Sequence, residues 1–364
     1  MVAKSFAQSS RESDLGAVAS LADPGLAEAG PEVSDALSEL ASLVSGDLLR
    51  CNRTIVERMD SSVALIPRLA QHLVAAGGKR IRPLLTLASA RMCGYPPRDS
   101  PSGARHVRLA ACVEFIHTAT LLHDDVVDES ALRRGLASAN AVFGNQAPIL
   151  VGDFLFARAF QIMVGDGSHA VLAILSDAAA TIAEGEVLQL ATQNDLATSE
   201  ARYLEVVHGK TAALFAAACQ VGAVLAGRPA AEERALREYG RNLGMAFQLT
   251  DDALDYAAEQ AALGKTVGDD FREGKVTLPV LLAFASGDAA ERGFWRRAIE
   301  EGVQAENDFA TARTLVQRRG AIAATLARAA KFTEAAQLAL GVFPPSALRA
   351  GLAAVADFAV HRQR

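Results

Sequence analysis

The chain has 364 residues, 51% of them hydrophobic and only 5% aromatic, and a formal net charge of -6. That apolar share supplies a large core, the alanine- and leucine-rich composition favours helices over sheets, and the acidic balance excludes the basic footprint of a nucleic-acid binder. Cys51, Cys93, Cys112 and Cys219 lack paired spacing, so they read as buried free thiols, neither a disulfide framework nor a zinc site.

The opening "MVAKSFAQSSRESDLGAVASLADPGLAEAG" has no apolar signal-peptide core and carries Glu12, Asp14, Asp23 and Glu28. It predicts a disordered lead-in over 1–32 and a cytoplasmic protein. "VSDALSELASLVSGDLLRCNRTIVERM" then spaces its apolar residues at three and four, as a helix does. "GGKRIRPLLTLASARMCG" begins in a glycine loop, places Pro83 where a helix can start, and stops at Gly94. "HVRLAACVEFIHTATLLHDDVVDES" reads as one long, mostly buried helix with carboxylates at its C-terminal end. Further helices follow in "PILVGDFLFARAFQIMVG", "AVLAILSDAAATIAEGEVLQLAT", "SEARYLEVVHGKTAALFAAACQVGAVLAG" and "PAAEERALREYGRNLGMAFQLTDDALDYAAE". Within them "TAALFAAACQVGAVLAG" is the longest charge-free apolar run, but it is short for a bilayer and contains Gln220, which makes it a buried core helix. After the loop "LGKTVGDDFREGKVT", Pro279 opens helical sequence to the C-terminus. With no β-rich alternation, residues 33–364 are expected to form one all-α domain, a single large helical bundle.

Two acidic triplets repeat one spacing: Asp124, Asp125 and Asp128 in "LHDDVVD", and Asp251, Asp252 and Asp255 in "LTDDALD". On a helix the first and last of each triplet share a face, and the middle one lies about 100° round. Two such helices facing each other would aim six carboxylates at one point. Buried like charges need compensation, and an all-oxygen cluster suits a hard cation such as Mg²⁺, completed by substrate phosphates. His123, beside Asp124, reads as a packing or hydrogen-bonding neighbour, not a metal ligand. The basic residues agree with a phosphorylated substrate. Lys79, Arg80 and Arg82 lie on or beside a glycine loop at a helix start, Arg133 and Arg134 follow the first triplet, Lys210 sits in "HGKT", and Lys265 and Lys275 follow the second triplet. They predict a second, metal-free phosphate pocket beside the metal-bridged one. No Walker, G-x-G-x-x-G or kinase pattern is present, which argues against nucleotide chemistry.

"GGKRIRP", "HTATLLHDDVVDESALRRG", "VGDFLFARAF", "EGEVLQL", "HGKTAALF", "GMAFQLTDDALDY" and "GKTVGDDFREGKVTLP" resemble, in order, the successive motifs of trans-isoprenyl diphosphate synthases. The resemblance runs from about Val33 to the C-terminus. Its wording is most similar to the long-chain polyprenyl synthases, octaprenyl to decaprenyl, that make quinone side chains. It implies the isoprenoid-synthase helical bundle with a central hydrophobic cavity, a homodimer, and a peripheral membrane contact for product release. It also implies up to three Mg²⁺ per active site, held by Asp124, Asp128 and Asp251 with Asp125, Asp252 and Asp255 in support. Arg133, Lys210 and Lys265 are then assigned to an allylic diphosphate such as farnesyl diphosphate. Lys79, Arg82, His117 and Arg134 go to isopentenyl diphosphate, and Thr211 and Gln248 to the allylic cation.

Product length is expected to be set on the helix leading to Asp124. A helical turn rises ~5.4 Å, close to one extended isoprene unit. Short-chain relatives resemble one another in placing an aromatic one turn above the aspartates. Here Ala119 and Thr120 stand there, with Ile116, Val113 and Cys112 deeper, and none blocks, so a long product of eight to ten units is expected. Phe160 or Met163 on the neighbouring helix is expected to form the floor. The competing readings are a geranylgeranyl-type short-chain synthase, disfavoured by Ala119, and a non-catalytic regulatory subunit, which could dispense with the carboxylates and cations retained here. A terpene cyclase would not need "GGKRIRP".

Overall fold

A computed structural model describes residues 31–75, 78–96, 104–133, 135–257 and 267–361. The expected disordered lead-in lies almost entirely outside the described residues. Helix α1 (Pro31–Leu43) carries proline at its first position, where a missing N–H costs nothing. The run continues as α2 (Ser45–Arg58), separated from α1 by Val44 at φ -124°. After α3 (Leu65–Ala75), α4 (Ile81–Met92) places Pro83 in its first turn, and Gly94 follows at φ 84°.

Helix α5 (Arg105–Val127) is buried on nearly every side, from His106 to Leu122, as expected of a helix apolar all round. Past its end a two-residue hairpin pairs Leu132–Arg133 (β1) antiparallel with Leu136–Ala137 (β2). It is too short to leave an alternating pattern in the sequence. Then come α6 (Ala139–Phe143), α7 (Gln146–Asp166) and α8 (His169–Thr192), the last capped by the Ser168 hydroxyl accepting from Val171 N. Helix α9 (Glu200–Val207), capped by Ser199, runs through a π-helical turn (His208–Ala212) into α10 (Ala213–Leu225). The 28-residue α11 (Ala230–Ala257) carries the second acidic triplet. The C-terminal part comprises α12 (Asp269–Arg272), α13 (Leu278–Ser286), α14 (Ala289–Trp295), α15 (Asp308–Arg318), α16 (Ala321–Ala339) and α17 (Ala347–His361).

Helix α5 packs along α7 and α4, while α10 packs on α4, α8 and α11. The main core joins Leu85, Phe115, Ile116, Phe215 and Tyr239, and a second cluster gathers Tyr256, Phe271 and Trp295 around α13. The charge-free α10 is a core helix, as expected, and α11 lies hard against it. A Cβ on Gly240 would come within 2.3 Å of Phe215 O, and one on Gly244 within 2.6 Å of Ala212 Cα. All four cysteines are buried and free. Among the described residues one helix, α7, is long and apolar enough to cross a membrane, with 44% of its apolar stretch buried.

Candidate active site

The two triplets lie on the last turns of α5 and α11, and their partners follow from helical phase. Middle aspartates turn into the protein. Asp125, 1% exposed, accepts from Arg133 Nε at 2.7 Å and lies 2.6 Å from its Nη2. Asp252, 4% exposed, accepts from Tyr203 Oη at 2.5 Å and Gln248 Nε2 at 2.8 Å. Gln248 in turn accepts from Thr211 Oγ1 at 2.8 Å. Burial, reinforced by Asp270, pushes the Asp252 carboxyl up to about 7 despite the hydrogen bonds from Tyr203 and Gln248. The six carboxylates therefore do not all converge, because the middle pair is engaged elsewhere.

The outer aspartates of the first triplet meet cations that come from distant parts of the chain. Lys210 Nζ stands 3.7 Å from Asp124 and donates to Glu186 Oε2 at 2.8 Å. Lys275 Nζ donates to Asp128 Oδ2 at 2.8 Å, across 147 residues of sequence. Burial raises the Asp124 carboxyl, against the pull of Lys210. Burial works against the charge of both lysines, but Asp124 and Glu186 hold the Lys210 ammonium above its ordinary range, and Asp270, Asp128 and Glu273 do the same for Lys275. Asp255 accepts from the backbone N–H groups of Gly268 and Asp270, fixing the entry to α12.

Backbone contacts put these cations in place. A Cβ on Gly185 would lie 2.6 Å from Lys210 N, and one on Gly209 2.7 Å from Gly185 Cα. Helix α8 and the π-helical turn thus touch backbone to backbone, which sets Glu186 beside Lys210. A π-turn of this kind recurs at functional sites because its extra residue re-aims the side chains after it. The end of α8 also fixes the Lys275 turn, where Gln193 Nε2 and Asn194 N donate to the carbonyls of Glu273 and Gly274. His123 faces away, its Nε2 3.1 Å from Ile149 O, in a space kept open by Gly152.

The second cationic group spans the start of α4. Arg82 Nη1 is 3.0 Å from His117 Nε2, and its guanidinium lies 4.5 Å from the Phe215 ring. Lys79 Nζ stands 5.2 Å over Phe358 of α17. Arg134 and Lys265 fall outside the described residues. Along α5, Ala119, Ile116, Val113 and Cys112 are fully buried, and Thr120 is half-buried with its hydroxyl donating to His117 O. Met163 is buried on α7, but Phe160 is 47% exposed and points out of the bundle, so within one chain it cannot form the floor. Sequence reasoning gave no role to Glu186, Tyr203 or Asp270, although Glu186 stands inside the quoted "EGEVLQL".

Among the described residues, no three or more His, Cys, Asp or Glu side chains are drawn together tightly enough to hold a metal ion unaided. The donors nevertheless fit Mg²⁺. The side chains of Asp124 and Asp128 stay 14% and 20% exposed, which leaves carboxylate oxygen accessible beside the water and phosphate ligands that Mg²⁺ retains.

A family model described as polyprenyl synthetase matches residues 63–316. The octaprenyl diphosphate synthase of Escherichia coli K12 is 46% identical over 328 residues, covering 90% of this chain and 99% of the relative. A Caulobacter crescentus polyprenyl synthase, solved in complex with calcium and isoprenyl diphosphate, superposes with a TM-score of 0.86 at 53% identity, covering 90% of this chain and 98% of that one. A decaprenyl diphosphate synthase from Rhodobacter capsulatus superposes with a TM-score of 0.84 at 50% identity, covering 89% and 98%. The acidic helix ends, the cations between them and these similarities agree: the chain belongs to the polyprenyl synthetase family.

Proposed function

We propose that the chain is a long-chain all-trans polyprenyl diphosphate synthase. It adds isopentenyl diphosphate head-to-tail to an allylic diphosphate such as farnesyl diphosphate, giving quinone side-chain precursors of about eight to ten isoprene units, as its octaprenyl and decaprenyl relatives are named for. The observation that carries the reading is the pairing of Asp124 and Asp128 with Lys210 and Lys275 at the mouth of the buried α5.

Bound among Asp124, Asp128 and Asp251, up to three Mg²⁺ would supply positive charge to the departing diphosphate. Asp125, Asp252 and Asp255 brace that arrangement, Asp125 through Arg133 and Asp252 through Tyr203 and Gln248. Lys210, with Arg133 and Lys265, adds charge to the same diphosphate as the C–O bond breaks and an allylic cation forms. Lys79, Arg82, His117 and Arg134 hold isopentenyl diphosphate with its alkene toward that cation. The alkene forms the new C–C bond, and the released diphosphate takes the proton that restores a double bond. Thr211 and Gln248 place their oxygens near the cation.

Exposed apolar side chains on α7 and α8, Leu150 at 66%, Val164 at 68% and Val187 at 66%, favour a homodimer, which we place in the cytoplasm. Its product would leave through a peripheral membrane contact. The test is to incubate purified protein with farnesyl diphosphate, labelled isopentenyl diphosphate and Mg²⁺, then size the dephosphorylated products. Long products are expected. Products stopping at four units would make it a short-chain enzyme, and no product with any starter would make it a regulatory subunit.

A further inference from the structure

Beside the basic segment that opens α4, α5 carries a buried acid that a diphosphate pocket does not require. Arg80, the N-cap of α4, sits at φ 46°, ψ 36°, the left-handed region that residues other than glycine rarely occupy. Its guanidinium pairs with Glu114 Oε1, and Glu114 is 6% exposed on α5. One turn further along α5, His117 meets Arg82. The cations around the start of α4 are thus directed to three elements: Lys79 over Phe358 of α17, Arg80 to Glu114 of α5, and Arg82 over Phe215 of α10. Helix α2 packs against both α4 and α5. Buried Cys51 lies close enough that burial and then the charge of Glu114 raise its thiol, while Arg80 opposes them.

A carboxylate beside an anion pocket repels the anion. Its placement there is accounted for by what it holds. Resting on the reading of this loop as the isopentenyl diphosphate pocket, we infer that Glu114 is a positioning residue. Through Arg80 it keeps the loop in its left-handed turn and so sets Lys79 and Arg82 apart for the two phosphates. Removing its charge takes this anchor from Arg80, relaxes the turn and disperses the two cations, while the carboxylate site at the other end of α5 stays in place.

The test is steady-state kinetics and thermal melting on the full chain and its variants. Glu114→Gln is expected to raise KM for isopentenyl diphosphate about tenfold or more, the order set by loss of one charge-assisted contact. KM for farnesyl diphosphate and kcat should stay within about twofold. Glu114→Asp, which keeps the charge but shortens the reach, should fall between, and it carries the same test if the glutamine variant does not fold. In an Arg80→Gln background, Glu114→Gln should add little. The inference is overturned if a folded Glu114→Gln or Glu114→Asp enzyme keeps its KM for isopentenyl diphosphate. It is equally overturned if both substrates suffer alike, or if the penalty persists in full without Arg80. A wild-type chain that condenses nothing would instead sink the functional reading beneath it.

Discussion

Ala119→Tyr tests whether the inner face of α5 walls the space into which the product grows. Ala119 is fully buried, five residues before Asp124. Side chains on a helix lean toward its N-terminus, so a tyrosine ring at 119 would lie over Phe115 and Ile116. Those positions are eight or nine residues from Asp124, or about 12–13.5 Å along the axis. At about one isoprene unit per 5.4 Å turn, the ring leaves room for two to three units below the carboxylates, and the unit added last, still at the carboxylates, makes one more. The product should fall from eight to ten units to C15–C20, roughly, while the first condensations survive because the metal-binding turn is untouched. Inserting the ring into a packed core costs about 1–3 kcal/mol, so melting curves must accompany the assay. Labelled products would be dephosphorylated and sized by reversed-phase chromatography. A folded, active variant that still made full-length product would refute the assignment of this face to the tunnel.

Asp124→Ala and Asp251→Ala should each lower kcat more than a hundredfold, a barrier increase above about 2.7 kcal/mol, and activity within tenfold of wild type would exclude them as metal ligands. EDTA should silence the intact enzyme and Mg²⁺ restore it. Lys79→Ala and Arg82→Ala should chiefly raise KM for isopentenyl diphosphate, each removing a charged contact worth about 1.5–3 kcal/mol, whereas Arg133→Ala should act through the allylic substrate. The same effect on the allylic substrate from Lys79→Ala would reverse the two pockets. Far from the chemistry, Asp47 joins α2 to α4 and α5 by accepting from Arg91 Nε at 2.7 Å and lying 3.0 Å from His106 Nε2. Burial opposes its charge, but hydrogen bonds from His106, Arg50 and Arg91 prevail and hold its carboxyl well below the ordinary 3.8. A depressed folded-state value means this stabilisation is present above pH 3.8 and fades as pH falls through the lower value. Asp47→Asn should therefore cost about 1.5–3 kcal/mol at pH 7, and the difference from wild type in denaturant titrations should narrow in strong acid. A constant difference would assign the loss to packing.

Local pattern carried much of this protein. The all-α class follows from helical periodicity, the burial of α5 and α10 from their charge-free apolar runs, and the position of Pro83 in a first turn from its ring. The split within each triplet also follows from helix phase alone, since residues four apart share a face and the middle one does not. What partners each carboxylate is a tertiary fact. Tyr203 reaches Asp252 across 49 residues and Lys275 reaches Asp128 across 147. Glu186 neighbours Lys210 only because two glycines bring α8 and the π-helical turn into backbone contact. Phe160 shows the reverse case. Its apolar chemistry suits a tunnel floor, but α7 buries the side that carries Ala159 and Met163 and turns Phe160 outward. Helical spacing is a property of the backbone and can be read along one chain; which face meets which neighbour depends on how all the helices pack, and only the folded bundle decides it.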